Sequence, residues 1–203
     1  MSGLPRHRTV VWDKENGYGT EFVEVELGAD RLSAKGLAIG WDPLPYRLEF
    51  KLETGPGWVT RRLDVTTRGD GWTRRLDLRR SDAGSWTADG SGDGEVDLEP
   101  AGGDATTFAE GLDCDLGLSP LTNSMPVLRH DLLRTDGAID FVMAWVAVPA
   151  LAVRRSDQRY TPLGDAPRGL RRIEYRSVGF VSELLFDPDG ICVDYPQLGR
   201  AVP

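Results

Sequence analysis

The stretch WVTRRLDVTTRGDGWTRRLDLRR, residues 58–80, decides the fold class. It holds two near-copies, WVTRRLDVTT (58–67) and WTRRLDLRR (72–80), each entered through Gly-x-Gly-Trp and separated by TRGDG. Apolar and polar residues alternate in both, the period of a half-buried β-strand. The glycine-rich joint predicts a hairpin, or neighbouring strands of a meander. Upstream, YRLEFKLE (46–53) sets Leu48, Phe50 and Leu52 on one face against Arg47, Glu49 and Lys51 on the other. EFVEVEL (21–27) opposes Phe22 to Val23, with Val25 and Leu27 continuing the face of Val23. Downstream, IDFVMAWVAVP (139–149) is an apolar run closed by Pro149 and reads as a central strand buried on both faces. LAVRRSDQRYT, GLRRIEYRSV, FVSELLFD and ICVDY follow as further strands, with DPDG (187–190) a turn. The expectation is an all-β chain of about a dozen strands and very little helix. They would form one curved antiparallel sheet, barrel-like or a half-barrel, over a single domain spanning residues 1–203.

Between the two halves lies a turn-rich, polar excursion, about residues 81–111, in which Trp86 is the one large anchor. DATTFAEG (104–111) predicts a single helical turn, with Thr107 and Glu110 placed as a capping box. GYG (17–19) and GPG (55–57) read as turn glycines.

The chain has 203 residues, 40% of them hydrophobic and 28% charged, the proportions of a soluble globular protein. Its net charge of −8 argues against nucleic acid and against docking on anionic lipid. No apolar window is long enough for stable membrane insertion, and the first residues carry no export signal, so a cytoplasmic location is expected. Charge is unevenly spread. Seven arginines lie between Lys51 and Arg80, and Ser81 to Leu128 holds ten acids and no Lys or Arg. Pairing across strands, or simple solvation, accounts for such a pattern. Cys114 and Cys192 read as small buried side chains rather than a disulfide.

The chemistry-bearing stretch is LDCDLGLSPLTNSMPVLRH, residues 112–130. Asp113 and Asp115 are two apart, so in a strand they share a face while Cys114 points the other way. Such a pair could act as acid and base, hold a cation, accept hydrogen bonds from sugar hydroxyls, or pair with arginine. No third ligand has metal-site spacing, no cofactor motif occurs, and no GxSxG or oriented base marks a nucleophile, so no metal, cofactor or catalytic residue is assigned. His130 reads as an ordinary polar residue. Thr122 and Asn123 sit between Pro120 and Pro126, where a turn bonding its own backbone and a rigid cradle for a polar ligand both remain open.

From Asp113 this segment resembles the signature Asp-x-Asp-x-x-x-(Ser/Thr)-Pro-x-Thr-Asn-x-x-Pro of the bacterial family named "Putative glycolipid-binding". GLAIGWDPLPYRLEF, GWVTRRLDV, GSWTADG, AVP, RYTPL and DGICVDYPQLGRAV resemble its other blocks. The resemblance implies a fold similar to the half-barrels of bacterial lipoprotein carriers, with an amphiphile on the concave face. It implies a site of Asp113, Asp115, Thr122, Asn123, Pro126 and Arg129, with Arg62, Tyr160, Asp194 and Tyr195 from the other blocks. Where the family has Arg-Arg, this chain has Leu128-Arg129. The expected function is therefore non-catalytic binding of a small glycolipid-like amphiphile. The alternatives are an enzyme using the Asp pair on a sugar-like or lipid-like substrate, and an interaction module or homo-oligomer joined at sheet edges.

Overall fold

The computed structural model describes residues 5–15 and 19–202; Gly17 and Tyr18 of the expected GYG turn lie outside them. Among the described residues, fourteen strands form one curved sheet that does not close. The first seven are β1 (Arg6–Lys14), β2 (Gly19–Leu27), β3 (Leu32–Gly40), β4 (Tyr46–Thr54), β5 (Thr60–Gly69), β6 (Trp72–Arg80) and β7 (Trp86–Asp93). After a short helix α1 (Ser124–Arg129) between β8 (Asp113–Leu116) and β9 (Ile139–Val146) come β10 (Val153–Ala166), β11 (Leu170–Ser177), β12 (Phe180–Phe186), β13 (Cys192–Tyr195) and β14 (Gly199–Ala201). Neighbours run β7-β6-β5-β4-β3-β2-β1-β14-β13-β12-β11-β10-β9-β8. The sheet is thus a seven-strand meander, β1–β7, joined where β1 meets β14 to a second half, β8–β14, that is antiparallel except at β8–β9.

Alternation sets the faces. β4 buries Tyr46, Leu48, Phe50, Leu52 and Thr54 and exposes Arg47, Glu49, Lys51 and Glu53 between them. The two Trp-entered copies become the β5–β6 hairpin, with Leu63 opposite Leu78 and Val65 opposite Leu76. On β3 the inward positions after Leu32 are small: Ala34, Gly36, Ala38 and Gly40. They make room for the large side chains of β4. A Cβ at Gly36 would stand 2.0 Å from the Phe50 ring, so Phe50 packs directly on the Gly36 backbone.

Three local expectations change. The excursion at 81–111 contains a strand, β7, whose Trp86 indeed anchors it by an edge-to-face contact with Phe108 and by Nε1 donating to the Gly111 carbonyl at 2.9 Å. The helical turn is Ala105–Phe108, capped by the Asp104 side chain accepting from the Thr106 amide and not by a Thr107–Glu110 box. Asp104 was at hand one turn earlier, and a carboxylate is a strong N-cap acceptor. The sheet is also not wholly antiparallel, since β8 pairs parallel to β9 at the sheet's end. β9 is consequently next to the edge, and its exposure is mixed.

The inner face of β1–β7 is filled. Trp12, Val23, Phe50, Leu63 and Leu78 belong to one apolar core with Cys114, Leu121 and Met125 of the β8–α1 segment. A second core, under β10–β13, gathers Tyr160, Ile173, Leu184 and Phe186 with Val127 of α1. The segment 113–129 therefore lies inside the wrapped sheet, facing one core with Met125 and the other with Val127. Both cysteines are buried and free. The Arg-rich strands pair outward, Arg61 with Asp82 and Arg79 with Asp77.

Candidate functional site

The parity of β8 decides where the signature residues go. Cys114 turns toward β5, where its amide donates to the Thr60 hydroxyl at 3.0 Å, and burial pushes its thiol up to about 12. Asp113 and Asp115 turn the other way, toward the second core. Asp113 is only 1% exposed and takes both terminal nitrogens of Arg129, one at 2.8 Å. That guanidinium also stands 6.0 Å over the Phe141 ring. Asp115 accepts from the Gln158 amide at 2.6 Å and the Thr122 hydroxyl at 3.0 Å. Burial raises its pKa, and the two hydrogen bonds oppose the rise.

The Thr-Asn pair sits in a tight helical turn, Pro120–Asn123, that runs directly into α1. Nothing in the periodicity announced α1, because a six-residue helix holding Pro126 is too short to show an amphipathic pattern. Asn123 donates weakly to the Pro120 carbonyl and accepts from the Tyr160 hydroxyl at 2.9 Å. Tyr160 in turn belongs to a run of edge-to-face rings, Phe141–Tyr160–Tyr175–Phe180, with Tyr195 beside Tyr175 and Phe180. Burial raises the pKa of Tyr160, Tyr175 and Tyr195, so all three present neutral hydroxyls.

Beside this network opens a cleft of about 640 Å³, within the range of small-ligand sites. Its lining is mixed: Asp115, Ser119, Asn123, Tyr175 and Tyr195 contribute polar groups, and Trp145, Phe180, Leu118, Val148, Leu198 and Pro43 apolar ones. Leu118 is held at φ 63° and stays 40% exposed. A branched residue in that conformation is uncommon and is found where surrounding structure enforces it.

Of the residues singled out from sequence, Asp115, Asn123 and Tyr195 line the cleft. Thr122 and Tyr160 stand behind, holding Asp115 and Asn123. Asp113 and Arg129 form a buried pair, and Pro126 is buried within α1. Asp194 pairs with Arg200, leaving its other oxygen buried and without a hydrogen-bond partner. Arg62 is not brought to the site: it bonds Asp64 and Asp77 on the outer side of β5, because its position alternates with inward Leu63. Leu128, where the family has arginine, lies against Gly190 of the DPDG turn and does not line the cleft.

The sequence reading missed Glu21, which shares the inward parity of Val23, Val25 and Leu27. It is 1% exposed, accepts from the Ser119 hydroxyl at 2.6 Å, and keeps its second oxygen buried and without a hydrogen-bond partner. Lys14 is inward like Trp12, which pairs with Glu21 across the strands, and is also buried. Burial pushes the Glu21 carboxyl from 4.5 up to about 7, opposed by the Lys14 charge and the Ser119 hydrogen bond. Burial likewise lowers the Lys14 pKa, opposed by Glu21. Tyr46, buried near Glu21 and Asp42, is pushed up to about 12.

A pH dependence follows. Between pH 4.5 and 7 the folded chain holds a proton on Glu21 that the unfolded chain has lost, so stability falls as pH rises through this window. The loss attributable to Glu21 is about 3 kcal/mol at most. The raised Asp115 acts in the same direction and the lowered His130 against it. Urea unfolding at pH 5, 6, 7 and 8 should show a decline that Glu21→Gln flattens; equal slopes in the two proteins would contradict this.

Comparison with known proteins came to three results. A family model described as "Putative glycolipid-binding" matches residues 9–201. The crystal structure of a DUF1089 family protein from Pseudomonas aeruginosa is similar, at 26% identity and a TM-score of 0.69, over 90% of this chain and 92% of that one. No curated protein matches.

Proposed function

Since the chain belongs to the family described as "Putative glycolipid-binding", we propose that it binds a small amphiphile in the cleft beside Asp115 and Asn123. The observation that carries this reading is the mixed lining. It offers hydrogen-bonding groups already fixed by Thr122, Gln158 and Tyr160 together with the apolar surfaces of Trp145, Phe180 and Leu118. A polar head meets the former and the beginning of an alkyl chain the latter, each buried Å² of which contributes roughly 25 cal/mol. The alkyl chain does not run along the inner face of β1–β7, which the protein's own core occupies. Pre-fixed partners reduce the ordering cost of binding. The acid–base reading finds less support: Asp113 is engaged by Arg129 on both oxygens, so the pair has one carboxylate to offer.

Octyl glucoside and octyl phosphate, each below its micelle concentration, are the probes. At least one should raise the melting temperature and change the tryptophan fluorescence. Asn123→Ala and Trp145→Ala should each weaken that binding about tenfold, equivalent to about 1.4 kcal/mol. If neither amphiphile binds the unaltered protein, the reading fails.

A further inference from the structure

We propose that Ser119, seated on Glu21, forms with Asp115 a hydrogen-bond-accepting subsite that selects uncharged, hydroxyl-bearing head groups and turns away anionic ones. The inference rests on the cleft being the amphiphile site and names the class of head group it takes.

A serine hydroxyl has one proton and two lone pairs. The Ser119 proton is spent on Glu21 at 2.6 Å, so Ser119, a residue lining the cleft, offers only lone pairs to it. The Asp115 carboxylate has about four acceptor sites and uses two, on Gln158 and Thr122. At Asn123 the carbonyl oxygen accepts from Tyr160 and one amide N–H reaches the Pro120 carbonyl, which leaves one N–H and one lone pair for a ligand. At Ser119 and Asp115 the lining therefore asks its ligand for O–H donors. A phosphate or sulfate has few or none and would place its charge against the Asp115 and Asp42 carboxylates.

Two arginines at the rim, Arg154 and Arg155, could have reversed this preference. Each is held by acids of this chain, Arg154 by Glu99 and Arg155 by Glu110 at 2.5 Å and Asp157 at 2.8 Å. Behind Ser119, Glu21 faces Lys14 from β1 and Tyr46 from β4. The Lys14 charge opposes protonation of Glu21, and above pH 7 the carboxylate accepts the serine proton and keeps it turned inward.

The test compares octyl glucoside, octyl phosphate and octyltrimethylammonium on the full chain at pH 7.5, each below its micelle concentration, by calorimetry and tryptophan fluorescence. The glucoside should bind at least tenfold more tightly than either of the others. Ser119→Ala should weaken glucoside binding about tenfold. Glu21→Gln offers Ser119 a donor, frees its proton toward the cleft, and should narrow the glucoside-to-phosphate ratio at least threefold, a change that general loosening of the fold would not produce. Phosphate binding as tightly as glucoside overturns the inference and leaves the amphiphile reading standing. Equal binding of the ammonium overturns it too, by showing charge attraction in place of hydrogen-bond acceptance. An unchanged ratio in both variants overturns the role of Ser119 and Glu21, and the absence of any binding overturns both readings.

Discussion

Replacing Arg129 with alanine should remove about 3–5 kcal/mol of unfolding free energy, the cost of leaving a buried charge without its partner. Asp113 is almost inaccessible and Arg129 nearly so, with 1% and 11% of their side chains exposed. Water cannot replace the lost guanidinium, whose two terminal nitrogens met both carboxylate oxygens. The same truncation also removes the contact over Phe141. A second variant separates charge from packing. Asp113→Leu combined with Arg129→Met keeps the volume and deletes both charges, and should recover most of the loss. Urea midpoints of the three proteins check this. A loss below about 1 kcal/mol for Arg129→Ala would place the pair with exposed salt bridges and deny it the burial described here.

Trp12→Ala should be as damaging, at about 3–5 kcal/mol. The indole is fully buried in the core of the first meander, and its Nε1 donates to the Cys192 carbonyl on β13 at 2.8 Å. Its own strand pairs with β14 through only three residue pairs, Trp12 with Ala201, Asp13 with Arg200 and Lys14 with Gly199. The side chain thus crosses beneath β14 and ties together strands that the backbone ladder joins only briefly. Trp12→Phe keeps much of the apolar contact and leaves the carbonyl unsatisfied, so about 1–3 kcal/mol should be lost. If the two substitutions cost the same in urea unfolding, the hydrogen bond across β14 carries the whole effect.

Much of this architecture was legible in the sequence because a buried sheet face leaves a period-two mark. YRLEFKLE and the paired Trp-entered strands could be oriented side chain by side chain. The same rule was available for Glu21 and Lys14, which keep step with Val23 and Trp12 and therefore had to point inward; a polar residue in an apolar register is the signal that was there to read. It also bore on Arg62, which alternates with Leu63 and so faces away from the site. Other features left no such mark. The parallel β8–β9 pairing is a matter of long-range docking, and α1 is too short and too proline-bound for a helical period. The cleft draws Tyr175, Phe180 and Trp145 from strands whose approach depends on the sheet's curvature, which no single stretch encodes.

The brief ladder between β1 and β14 has a kinetic consequence. Every other neighbouring pair joins strands adjacent along the chain, so apart from the parallel β8–β9 pair each half can grow by successive hairpins, which close quickly. The β1–β14 contact instead brings together segments separated by nearly the whole sequence. Its closure entropy has to be met before its three residue pairs return anything. Pairing of β1 with β14 is accordingly a slow step beside the local hairpins, with Trp12 positioned to make it hold.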